Sequence, residues 1–148
     1  MRLYLAQHGL AADKQDDPAR PLSEAGVHDV GHVAQQMGEA GVQVARVWHS
    51  GKLRAEQTAA LLAKQVLPNG QPEQTDGIAP NDSVEEFIAD IDVWQEDTLV
   101  VGHLPFMARL VSRLVTGEME RECVRYTPGS IVCLERESPE QWVLAWML

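Results

Sequence analysis

Residues 2–9 read Arg-Leu-Tyr-Leu-Ala-Gln-His-Gly, an apolar run that breaks at a polar pair and a glycine. Arg2–Ala6 is predicted as a short strand, which places His8 just beyond its C-terminal end. The same figure recurs twice. Val44–Trp48 reads as a second strand ending at His49-Ser50, and Thr98–Val101 as a third, buried-looking strand ending at Gly102-His103. His8, Ser50 and His103 thus follow strands at equivalent places. In open α/β sheets ligands bind just outside the carboxyl ends of the strands, so these side chains can converge although far apart in sequence.

Helical patterns fill the intervals. After a polar loop, Asp13–Pro21, Ser23 is placed to cap a helix with Val27, Val30, Ala34 and Met37 on one face and Gly41 as its stop. A second helix is predicted over Leu53–Val66, closed by Pro68. Ser83 and Glu86 form a capping-box pair at a stripe of Val84, Phe87, Ile88 and Ile91. Pro105 suits the first turn of a helix carrying Met107, Leu110, Val111 and Leu114, which Gly117 ends. Ile131–Leu134 and Trp142–Trp146, joined by a Ser138-Pro139 turn, read as a closing pair of strands. The alternation predicts an α/β protein, a sandwich around a largely parallel sheet, and the length of 148 residues suits a single domain over 1–148.

Composition narrows the function classes. A hydrophobic content of 45% is ordinary for a globular chain, and the formal net charge is -10, from 12 Lys+Arg against 22 Asp+Glu. Such a surface repels nucleic acid and anionic lipid, so neither is expected as a partner. It repels a free phosphate at long range too, so any anion site must be a local basic pocket. No apolar run approaches a membrane span, and the start lacks a secretory pattern. Cys123 and Cys133 have no metal-ligand spacing, and reduced thiols in a cytoplasmic protein are the simplest expectation.

Arg54 belongs to the first turn of the second helix, close to Ser50. Two imidazoles, a hydroxyl, a guanidinium and a helix N-terminus make a plausible phosphate cradle. Singly, each has a plainer reading: a strand-end histidine is usually a turn residue, and a helix arginine is usually solvated. Joint placement at one sheet edge raises the odds for function.

Larger motifs sharpen this. Gln7-His8-Gly9 follows the first strand, and Pro21-Leu22-Ser23-Glu24-Ala25-Gly26 opens the first helix. Ser50-Gly-Lys-Leu-Arg54-Ala-Glu-Gln57-Thr58-Ala59 and Val101-Gly102-His103-Leu104-Pro105 come later. In order and spacing this set resembles the histidine phosphatase superfamily over nearly the whole chain, and within it the phosphohistidine phosphatases of SixA type. The resemblance implies a phosphoglycerate mutase-like three-layer fold, with helices on both sides of a mostly parallel sheet. It implies a metal- and cofactor-independent phosphatase in which His8 accepts the phosphoryl group. Arg54 and His103 would hold its oxygens, with Gln7, Arg20 and Ser50 as further phosphate contacts. The implied partner is a histidine-phosphorylated protein, with phosphate as product. A neutral imidazole can attack phosphorus, and the transferring group is a dispersed anion, so positioning and positive charge do most of the work.

Two departures stand out. Gln7 occupies the place where the superfamily has Arg; it can donate hydrogen bonds but brings no charge. A charge-assisted bond contributes roughly 1.5–3 kcal/mol, so turnover slows about ten- to hundred-fold unless Arg20 or Lys52 compensates. The alternative is a degenerate member that binds phosphate or a phosphoprotein with little turnover. The second departure is the proton donor: Asp76–Asp82 offers no clear loop acid, Asp82 being a weak candidate. His28 and His32, spaced like helical metal ligands, are expected on a solvated face. Arg109, Arg113, Arg121 and Arg125 are expected as a dispersed solvated set.

Overall fold

The computed structural model describes residues 1–148. Its elements run β1 (Arg2–Gln7), α1 (Glu24–Glu39), β2 (Arg46–His49), α2 (Leu53–Val66), β3 (Glu73–Gln74), α3 (Val84–Ile91), β4 (Thr98–Gly102), α4 (Phe106–Thr116), β5 (Ile131–Ser138) and β6 (Gln141–Met147). One six-stranded sheet has the order β3-β2-β4-β1-β5-β6. β1, β2, β3 and β4 pair in parallel, while β5 runs antiparallel to β1 and β6 to β5. This is the mixed, mostly parallel sheet expected from the alternation.

Alternating residues of the central strands feed two cores, which is what creates three layers. Leu3 and Leu5, Val100, and Val132 and Leu134 pack with Val84, Phe87 and Ile91 of α3 and Phe106, Met107 and Leu110 of α4. Tyr4 and Ala6, Leu99 and Val101, and Ile131 and Cys133 face the other way, onto Val30, Ala34 and Met37 of α1 and Ala55, Ala59 and Leu62 of α2. Strands buried on both faces read as continuous apolar runs, hence Leu-Tyr-Leu and Leu-Val-Val in the sequence.

Helix ends follow the expected chemistry. Ser23 Oγ accepts the Gly26 N–H at 3.0 Å, and Ser83 Oγ accepts the Glu86 N–H at 3.3 Å. Gly41 and Gly117 stand at positive φ just past α1 and α4, a conformation glycine adopts at little cost. The two-residue β3 carries no apolar signal and escaped the sequence. The closing hairpin turns at Pro139-Glu140, with Ser138 paired to Gln141, one residue later than expected.

Val27 is a correction. Expected on the buried face of α1, it is 46% exposed, and Gly26 is buried in that stripe instead. The reason is a close backbone approach: a Cβ on Gly26 would lie 2.1 Å from Leu10 O. The same carbonyl accepts the Ser23 N–H at 2.9 Å and the Ser23 hydroxyl at 3.1 Å. The start of α1 is thereby fixed on the segment just after His8. Gly26→Ala is expected to cost about 1–3 kcal/mol, because backbone must move to admit the methyl. In urea unfolding the midpoint should fall with an unchanged m-value.

Candidate active site

The carboxyl ends of β2, β4 and β1 lie side by side, and their next residues are Ser50, His103 and His8. β1 and β4 are paired up to Gln7 opposite Gly102, so the two histidines leave the sheet together. Their ring centroids are 5.0 Å apart. On the other side β2 pairs with β4 up to His49 opposite Val101, and Ser50 Oγ reaches His103 Nε2 at 2.5 Å.

His8 is held by its backbone: its N–H donates to Gly102 O at 3.0 Å, and its carbonyl accepts the Gly129 N–H at 3.1 Å. In the side chain, Nδ1 lies 2.7 Å from Gly9 O. A carbonyl oxygen can only accept, so Nδ1 carries the hydrogen and Nε2 of the neutral ring keeps its lone pair. Burial lowers the His8 pKa below its usual 6.5, and the Arg54 and Arg20 charges lower it further, against the Gly9 bond, which raises it. The ring is therefore neutral, and able to attack, at neutral pH.

Two residues of the Arg54–Ala59 motif act as braces. The Thr58 hydroxyl donates to Arg54 O at 2.7 Å and accepts the Gly9 N–H at 3.0 Å, tying the first turn of α2 to the residue after His8. Gln57 Oε1 accepts the Leu22 N–H at 2.7 Å, drawing the entry to α1 against α2. Their side-chain types were visible in the motif; their partners are far away in sequence, which is why these roles were not assigned there.

Arg20 and Arg54 complete the cluster. Arg20 adopts a positive φ of 49°, unusual for a non-glycine residue, and its Nε donates to Ala12 O at 3.2 Å. Arg54 has its pKa lowered, first by burial and then by the Arg20 charge. His103 is pushed down to about 3 by burial, with His8, Arg54, Lys52 and Arg20 adding to the effect. In a chain with 22 acidic residues, Arg20, Arg54 and Lys52 have no carboxylate partner. Buried polar atoms without a partner in the protein concentrate here as well: Arg54 Nε, His103 Nδ1 and Gln7 Oε1. Arg54 Nε is a donor, and an unpaired buried donor beside unpaired cations favours an anionic ligand.

The structure thus brings His8, Arg20, Ser50, Arg54 and His103 together, with Gln7 buried at the base on the last residue of β1. The Ser50 hydroxyl is engaged by His103. Asp82 Oδ2 accepts the Ala79 N–H at 2.9 Å within its own loop. His28 and His32 are exposed, as expected for a solvated face. Arg109, Arg113, Arg121 and Arg125 pair with Glu120, Glu85, Glu118 and Glu122. A concavity of about 790 Å³ elsewhere, between α3, α4 and the β5–β6 hairpin, contains the ion pairs Arg113–Glu85 and Arg136–Asp92, with Glu140 also in its lining.

Solved structures share this fold. The fold superposes on the protein histidine phosphatase SixA complexed with tungstate at a TM-score of 0.87, with 25% identity over 100% of this chain and 96% of that one. In fold the chain is similar to a histidine phosphatase. Another histidine phosphatase fold, the alpha-ribazole phosphatase from Shigella flexneri, matches at a TM-score of 0.74 with 18% identity, covering 97% of this chain and 94% of that one. An uncharacterized protein of Picosynechococcus sp. is 33% identical over 125 residues, 80% of this chain and 75% of that one. No family model matches the chain. The buried Gln7 stands where the superfamily pattern has Arg, so Arg20, Arg54 and Lys52 are the cations left to the cluster.

Proposed function

We propose that this chain is a phosphatase that hydrolyses phosphohistidine on proteins through a covalent intermediate at His8. The observation that carries the reading is the set of unpaired cations and buried polar atoms around a neutral His8 whose Nε2 is free. The likeness to SixA, whose solved structure holds tungstate, supports it. In the first step the Nε2 lone pair forms a bond to phosphorus as the P–N bond to the substrate imidazole breaks. That imidazole takes the electron pair; if its other nitrogen already carries a hydrogen, it leaves as a neutral ring. Water then attacks phosphorus, the His8–P bond breaks, and phosphate leaves with the water's proton passed to solvent.

Arg54 and Arg20 neutralise the equatorial oxygens during both steps, and no group need change position. The engagement of Asp82 in its own loop fits a substrate that needs no strong acid. We assign the protein to the cytoplasm on its reduced thiols and acidic surface. A histidine-phosphorylated protein and a p-nitrophenyl phosphate assay, run together, test the reading. The expected result is a higher kcat/KM on phosphohistidine, with acid-labile label on the enzyme; equal values, or a preference for a sugar phosphate, overturn the specificity.

The buried Gln7 favours a second reading, a member that binds the phosphoryl group with little turnover. Gln7→Arg separates the two. For a working nucleophile short of positive charge, the variant is expected to speed turnover about ten-fold, the worth of one charge-assisted bond. Silence of both wild type and Gln7→Arg on phosphohistidine proteins, with phosphate still bound, establishes the binder.

A further inference from the structure

Ser50 reaches His103 because β2 and β4 are neighbours in the sheet, and the turn that carries it is closely built. The Gly51 N–H donates to His49 Nδ1 at 3.0 Å. Gly51 has a φ of 91°, and a Cβ there would lie 2.4 Å from the Gln74 side chain. His103 itself is 2% exposed. We propose that Ser50 is a positioning residue whose hydroxyl donates to His103 Nε2 and thereby fixes the ring hydrogen on Nδ1, the buried atom that has no partner in the protein. Its catalytic consequence rests on the phosphatase reading above; the tautomer does not.

The surroundings of the Ser50–His103 bond agree with that direction. A backbone N–H can only donate, and that of Lys52 lies 3.4 Å from Ser50 Oγ, where it takes up one of the two oxygen lone pairs. The hydroxyl hydrogen is free to point at Nε2, and the tautomer measurement below decides the direction. Every titratable group acting on His103 is basic, namely His8, Arg54, Lys52 and Arg20, so the ring stays neutral and carries one hydrogen. Where a phosphoryl oxygen held by Arg54 reaches Nδ1, it meets either a lone pair or an N–H. Only the second binds it. Ser50 thus serves the phosphate through His103, and the hydroxyl assigned to phosphate contact from the sequence acts one bond further back.

Imidazole nitrogen NMR on 15N-labelled protein near neutral pH reads the tautomer, and tungstate titration reads the consequence. Wild type and Ser50→Thr, which keeps the hydroxyl, are expected to show His103 with Nδ1 protonated and Nε2 bare. Ser50→Ala should shift the hydrogen toward Nε2 and weaken tungstate binding about three- to ten-fold, the range of one neutral hydrogen bond. An Nε2–H tautomer in wild type overturns the proposal, whether or not Ser50→Ala folds. So does a Ser50→Ala variant that loses tungstate with the His103 tautomer unchanged, since the hydroxyl would then bind the anion directly. The expected tautomers in a protein that fails to bind tungstate at all would support the role of Ser50 and count against the phosphatase reading.

Discussion

His8→Ala is expected to abolish turnover and acid-labile labelling together, a loss on the order of 10⁴-fold or more, because no neighbour can supply the attacking nitrogen. His103 is the other imidazole within reach, but its Nε2 is engaged by Ser50. Rapid-quench labelling with a phosphohistidine protein checks this, and undiminished activity would remove covalent catalysis at His8. Fold stability gives the control: the His8 backbone bonds to Gly102 and Gly129 survive the substitution, so the variant should unfold cooperatively. The pH profile carries the sign of the mechanism. His8 must be neutral to attack, and its pKa is lowered from 6.5, so activity should persist below pH 6.5 and fall only on further acidification. A decline that begins above that value would contradict a buried nucleophile flanked by arginines.

Arg54→Ala is the second large effect. Arg54 brings a cation and a buried, unpartnered Nε to the site, and no carboxylate competes for it. Removing one such preorganised stabiliser costs about 10²–10³-fold in kcat. Arg54→Lys should recover little of it, since an ammonium cannot reproduce a planar fork. The substitution also relieves His8 of a neighbouring positive charge, so the acid limb of the pH profile should move to higher pH. Coupled losses of this kind distinguish a phosphate ligand from a helix brace: Arg54 contributes its bond to Thr58 through the backbone carbonyl, which every substitution retains. Unchanged kcat with an unchanged acid limb would place the anion elsewhere.

Sequence by itself determined the layers and most of their limits. The apolar runs Arg2–Ala6 and Thr98–Val101 announced strands, the second of them buried, and Ser23, Ser83, Gly41 and Gly117 marked helix ends through backbone chemistry that is local to a few residues. It also placed His8, Ser50 and His103 at strand ends, because a strand's end is a local property. Val27 misled because its period is helical while its burial depends on Gly26 meeting the Leu10 backbone, a contact between distant segments. Only the tertiary structure decided the strand order, and with it that β4 lies between β1 and β2. That order sets His103 between His8 and Ser50, turns the Ser50 hydroxyl toward an imidazole, and gives Thr58 and Gln57 the Gly9 and Leu22 amides as partners. Side-chain identity is written residue by residue; which unpaired group meets which is fixed by long-range pairing of the sheet, and the cluster of cations without carboxylates exists only once that pairing is made.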